Sequence, residues 1–295
     1  MGLSEVLQAT LAADLKPRDE DLDLFGLTHQ GLVRSENQDH FLIGTLHREL
    51  AVHGTSLPMS QMVLRGERFA TFGIVADGVG GRAGGAAASQ RAVEAITQYV
   101  QSTLRCFNVA DPDHEPSFVT ALHNAALEAH KAVQALRGAD DESGPATTLT
   151  MAIGIWPRAY VLQVGDSRCY VYGDGALRRL TRDQTVAQDF VDSGALKAEE
   201  VARSPYRNVL SSAIGGQNAD PVVTALNQRR DNVLLLCSDG LTKHVSDIEL
   251  ETCLATVRSA EQACRDLLQM ALARGGTDNI TIIVGRARRE PKGDS

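Results

Sequence analysis

The sequence predicts an α+β sandwich, with helices layered on β-sheets and no strict β-α-β alternation. Three observations predict it. The apolar runs are short and rich in β-branched and aromatic residues, and stretches of helical period come in long blocks between series of strands. A Gly173-Asp-Gly175 turn joins two such runs, which reads as a hairpin and makes the neighbouring strands antiparallel. At 295 residues and 43% apolar content, the chain can bury a sizeable core in one large domain.

Residues 1–24 combine a short amphipathic stretch, Val6 to Leu15, with the charged run Lys16 to Asp23. That run has no period that would bury a face, so an N-terminal arm is expected there. The domain is expected over 25–287, followed by a charged, flexible tail over 288–295. Strands are expected at Phe41 to Gly44, Phe69 to Ala76, Leu149 to Trp156, Tyr160 to Val164, Cys169 to Tyr172, Val233 to Cys237 and Ile280 to Val284. Helices are expected over 84–100, 117–137 and 260–274. The last carries a capping pair, Ser259 with Gln262, and stops at Gly275-Gly276; Ser246 with Glu249 marks a further helix start. No internal repeat is present.

The formal charge of −8 argues against a general nucleic-acid binder and suits a protein that concentrates cations. No apolar run reaches the roughly 20 residues that span a bilayer, and the N-terminus lacks a secretory pattern, so a cytoplasmic protein is expected. Met1-Gly2 lacks the Ser or Thr that a myristoylation start wants, because Val6 stands there. Five Cys without a CxxC pair read as reduced, mostly buried thiols.

Acidic residues recur where apolar runs end. Asp77 follows Phe72 to Ala76 and precedes Gly78-Val-Gly-Gly81; Asp239 follows Val233 to Ser238 and precedes Gly240. An Asp at a strand end followed by glycine lets a carboxylate and the next carbonyl face one cation. Asp278 before Ile280 to Val284 and Asp39 before Phe41 add two more acids at strand edges. Hard oxygen donors of this kind suit magnesium or manganese. Two such cations about 3.5 to 4 Å apart would bind and activate a water for in-line attack on phosphorus. Arg34, a few residues before Asp39, supplies a planar fork for the phosphate. Competing chemistries fail on the residues: Ala83 stands where a dinucleotide fingerprint needs its third glycine. No P-loop Lys, no Cys with Arg six residues on and no HExxH is present. His123, on an apolar helix face, reads as structural.

The ordered motifs resemble the metal-dependent serine/threonine protein phosphatases of the PP2C (PPM) family, in their bacterial form. They are Gly31-Leu-Val-Arg-Ser-Glu-Asn-Gln-Asp39, Val75-Ala-Asp-Gly-Val-Gly-Gly81, Thr147-Thr-Leu-Thr150, Val164-Gly-Asp-Ser-Arg-Cys-Tyr170, Leu180-Thr-Arg-Asp-Gln-Thr185, Asn208 to Gly215, Leu236-Cys-Ser-Asp-Gly-Leu241 and Thr277-Asp-Asn279. The resemblance runs from about Gly26 to Val284. It implies a four-layer α-β-β-α sandwich of two antiparallel sheets flanked by helices, with two Mn2+ or Mg2+ ions at one end. By that likeness Asp77 bridges both ions, the Gly78 carbonyl binds one, Asp239 and Asp278 hold the other, and Asp39 acts chiefly through coordinated water. Arg34 clamps the substrate phosphate. A third, weaker cation is expected between Asp239 and an acid before the Thr-Thr motif, with Asp140, Asp141 and Glu142 as candidates. The stretch 187–220 looks like the family's flap, and the substrates implied are phosphorylated proteins. Three departures stand out. Gln38 replaces a common Glu, Val79 replaces a His that many animal members carry, and Gly44 to Arg68 reads as an inserted loop or extended hairpin. The alternative readings are a catalytically weak binding module on the same fold, or a phosphatase of a partner-switching regulator.

Overall fold

The computed structural model describes residues 15–49, 65–79, 84–103, 115–138 and 144–288. In chain order its strands and helices are β1 (Leu22–His29), β2 (Asp39–Glu49), β3 (Arg65–Val79), α1 (Gly84–Thr103), α2 (Glu115–Gln134), β4 (Ala146–Thr147), β5 (Leu149–Ile155), β6 (Arg158–Val164), β7 (Arg168–Gly173), β8 (Ala176–Arg179), α3 (Val186–Asp192), β9 (Val222–Asn227), β10 (Val233–Cys237), α4 (Asp239–Thr242), α5 (Asp247–Ala255), α6 (Ala260–Ala273) and β11 (Ile280–Ala287). One sheet has the order β1-β11-β10-β7-β8; the other runs β2-β3-β5-β6-β9, with β4 paired to β3. Every pairing is antiparallel. The architecture is the expected α+β sandwich.

Period-two alternation builds the layers, because successive side chains on a strand face opposite ways. On β3 Phe72, Ile74 and Ala76 pack against Ala88, Ile96, Phe118 and Leu122 of α1 and α2. On β11 Ile280, Ile282 and Val284 pack against Ala263, Cys264 and Leu267 of α6. The residues between them in sequence, Val75 and Ile283, face inward with Ala152, Val161, Cys169 and Leu236 and join the two sheets.

Most differences from expectation lie at element ends. β1 begins at Leu22, inside the stretch expected as an arm, and pairs along its whole length with β11. Its charged neighbours are held rather than solvated: Asp21 pairs with Arg230 and Asp23 with Arg286. An apolar-period reading misses this, since ion pairs and ladder bonds fix the segment. The described part of the 44–68 insertion is an extended hairpin: β2 and β3 stay paired out to Glu49 and Arg65, with register shifts near His47. β9, half-exposed along its length, was not expected. The Asp174-Gly175 turn closes β7 and β8 with φ values of 53° and 79°, as the hairpin reading required. Ser259 caps α6 through Gln262 N–H, whereas the Gln262 side chain turns to Asp266 rather than completing a box. Glu249 does reach back to the Ser246 N–H and hydroxyl. Among the described residues no helix is long and apolar enough to cross a membrane.

Candidate active site

At one end of the sandwich the strand ends converge on a cavity of about 230 Å³. β2 and β3 bring Asp39 and Asp77 into direct cross-strand register. β10 delivers Asp239, the approach to β11 delivers Asp278, and the β6–β7 turn delivers Asp166. The cavity wall carries Asp77, Gly78, Asp166, Asp239, Asp278, Arg34 and Lys243, with Asn208 and Leu210 contributed by the expected flap. The flap stretch is anchored beside it by isolated bridges of Thr185 to Leu210 and Thr147 to Ile214.

Hydroxyls fix the backbone under these acids. Thr148 Oγ1 accepts from the Asp77 N–H at 3.0 Å, while the Thr148 N–H and the Thr147 hydroxyl donate to the Asp77 carbonyl at 2.9 and 2.8 Å. The Thr-Thr motif thus sets the end of β3. Gly78 has no room for a side chain, because a Cβ would meet the Gly85 and Gln38 carbonyls. Asp39 is buried at 3% exposure. Its Oδ2 accepts from Ser238 and Thr281 at 2.8 and 2.7 Å, and its Oδ1 is buried with no hydrogen-bond partner.

The crowding shows in the acid strengths. Burial raises Asp77 well above the usual carboxylate range, and the charges of Asp39, Asp239 and Asp166 push it the same way. Burial likewise lifts Asp39 to about 6 and Asp166 to about 8, with Asp239 adding to both. Burial raises Asp239 too, opposed by Lys243. Asp278 alone falls below its ordinary value: burial would raise it, but hydrogen bonds from Arg34 and Lys243 outweigh that. Arg34 grips Asp278 with both arms of its fork, at 2.6 and 2.8 Å.

Among the described residues no three acidic, His or Cys side chains close into a ready cage, since Asp278 faces Arg34 and Lys243 and Asp39 faces Ser238 and Thr281. The donor chemistry nonetheless fits hard divalent cations. All donors are oxygens, burial and neighbouring carboxylates raise Asp77 together, and Asp39 Oδ1 is orphaned.

The Protein phosphatase 2C family model matches residues 63–280. The chain belongs to the protein phosphatase 2C family. It is 33% identical over 257 residues to the serine/threonine protein phosphatase PstP of Mycobacterium tuberculosis, covering 86% of this chain and 43% of PstP. It is 31% identical over 222 residues to the serine/threonine phosphatase stp of Listeria welshimeri, covering 75% and 86%. The crystal structure of M. tuberculosis PstP/Ppp is similar with a TM-score of 0.72 and 28% identity, covering 91% of this chain and 99% of that one. The PstP catalytic domain in complex with two manganese ions gives 0.69 and 27%, covering 91% and 99%.

In this phosphatase 2C chain the structure gathers Arg34, Asp77, Gly78, Asp239 and Asp278 on one cavity, with Asp39 directly behind the wall. Asp140, Asp141 and Glu142, expected for a third cation, lie outside the described residues, as do Gly80 and Gly81. Two charged residues of the cavity wall, Asp166 and Lys243, are not among the site residues expected from the sequence. Asp166 comes just after the apolar run of β6, as Asp77 comes just after the apolar run Phe72 to Ala76, so the pattern of an apolar run followed by Asp could have found it. Lys243 carries no such signal.

Proposed function

We propose that the chain is a metal-dependent phosphoprotein phosphatase hydrolysing phosphoserine and phosphothreonine. The observation that carries this is the convergence of Asp77, Asp239 and Asp278 on one cavity, with the unpartnered Asp39 Oδ1 behind it and Arg34 at its mouth. Asp77, the Gly78 carbonyl, Asp239 and Asp278 would hold two Mn2+ or Mg2+ ions, with Asp39 acting through water and Asp166 beside Asp239 offering a further acidic seat. The similarity to PstP, whose catalytic domain binds two manganese ions, supports that assignment. When bound, such ions would supply Lewis acidity and lower the pKa of a coordinated water towards neutrality, so that direct attack on phosphorus needs no nucleophilic side chain.

The protein's own groups do the rest. Arg34 is 53% exposed, and its fork matches two phosphate oxygens as well as it matches Asp278. Thr147 and Thr148 hold Asp77 rigid, and Asn208 and Leu210 shape the mouth against the substrate chain. Val79 faces the cavity, and among the described residues no His lines it. All four strand-end acids being present favours catalysis over a purely binding role. The test is phosphate release from a phosphothreonine peptide with Mn2+, with Mg2+ and with chelator. Release that depends on the ions is expected, and an undiminished rate in chelator would overturn the reading.

A further inference from the structure

Lys243 stands one helical turn beyond Asp239, so its side chain returns along the same face of α4. Its ammonium donates to Asp278 Oδ2 at 2.7 Å and pairs with Asp239 Oδ2 at 2.6 Å. Those carboxylates are the pair proposed above to hold one of the two ions. At 27% exposure the side chain is unlike the solvated surface pairs of the molecule, such as Lys131 with Glu128, where the lysine is 69% exposed. Its charge also reaches further. Burial is the main cause that raises Asp77 and Asp166, and Lys243 opposes the rise in both. Arg34, the other cation on the cavity wall, makes its hydrogen bonds to Asp278 alone among these acids.

We propose that Lys243 is a tethered counter-cation: it bridges Asp239 and Asp278, holds the acid cluster together without metal, and competes with a divalent ion for that pair. The proposal rests on reading Asp239 and Asp278 as metal ligands. Lysine suits the task because its charge is a compact point on a flexible four-carbon stem, able to hold two carboxylates and to withdraw. An ion binding the pair must displace it. The observed affinity is then the intrinsic affinity scaled by the fraction of chains in which the lysine has let go. Metal occupancy would thus be set partly by this one side chain, so that the second ion loads only at higher free metal.

The test uses the full chain stripped with chelator, with Mn2+ uptake followed by calorimetric titration and thermal unfolding followed with and without Mn2+. Wild type is compared with Lys243→Met and Lys243→Gln. Each variant is expected to bind Mn2+ at the pair about tenfold more tightly. Each should melt about 5 °C or more below wild type in chelator, because a buried carboxylate has lost its partner. That gap should close at saturating Mn2+, when the ions supply the missing charge. A methionine variant that folds only with Mn2+ would give the same answer in stronger form, and the glutamine variant then provides the affinity comparison. Affinities equal within twofold, or a melting gap that Mn2+ leaves unchanged, would overturn the proposal and make Lys243 an ordinary structural ion pair. Wild type binding no Mn2+ would overturn the metal-site reading along with it.

Discussion

Arg34 and Asp278 face each other across 244 positions of sequence through two charge-assisted hydrogen bonds, with the guanidinium open to the cavity mouth. Hydrogen bonds to a charged group contribute about 1.5–3 kcal/mol, so Arg34→Ala should lower kcat/KM for a phosphopeptide by about 10- to 100-fold. Arg34→Lys should recover only part of it, since the planar fork is lost. Steady-state kinetics check this, and an unchanged kcat/KM for the alanine variant would contradict the clamp. At this scale the sequence made the strand-end acids legible because the same device, apolar run then Asp then Gly, occurs at both Asp77 and Asp239. It did not reveal the orphaned Oδ1 of Asp39, a carboxylate whose other oxygen is held by Ser238 and Thr281, 199 and 242 positions away. Nor did it reveal Lys243, whose contact with Asp278 spans 35 positions.

Between β10 and α5 the short helix α4 starts at Asp239 and lies against the entry to β11. Gly240 makes that approach possible, since a Cβ there would run into the Asn279 carbonyl. Gly240→Ala should therefore push Asp239 and Asp278 apart, weakening Mn2+ binding about tenfold or more while the far end of the sandwich keeps its fold. Mn2+ titration alongside far-ultraviolet circular dichroism checks it, and unchanged affinity would contradict the packing account. The helices and central strands were legible as elements because their apolar residues keep a clear period: α6 buries Ala263, Cys264, Leu267 and Ala271 on one face. Their ends were less so. β2 and β3 run beyond their apolar cores because ladder bonding to each other carries them outward. β1 and β9 are half-buried at best along much of their length, so neither carries the fully buried run that marks the central strands.

The whole molecule is two sheets joined through a thin apolar layer and covered by helices on both outer faces, and the Cys169, Cys237 and Cys264 thiols are buried in it. Burial pushes Cys237 and Cys264 up to about 12. An unfolded thiol ionises near 9.0. The unfolded chain therefore releases these protons first, and the stability they protect is complete below pH 9 and falls as pH rises from there towards 12. Each thiol should remove up to about 1.4 kcal/mol per pH unit inside that window. Urea unfolding at pH 8 and pH 10 should show a drop of about 1–3 kcal/mol, and equal stability at the two values would contradict the sealed core. The layer order was legible through the resemblance of the ordered motifs, whereas the pairing order of strands was not, because it depends on contacts between segments far apart in sequence. The central claim, that the acids at one end of this sandwich form a two-cation phosphatase site, is tested most directly by phosphate release from a phosphothreonine peptide with Mn2+, for wild type and Asp239→Ala. Release by wild type, abolished in an alanine variant shown to be folded, is the predicted result. Equal release by both would contradict it.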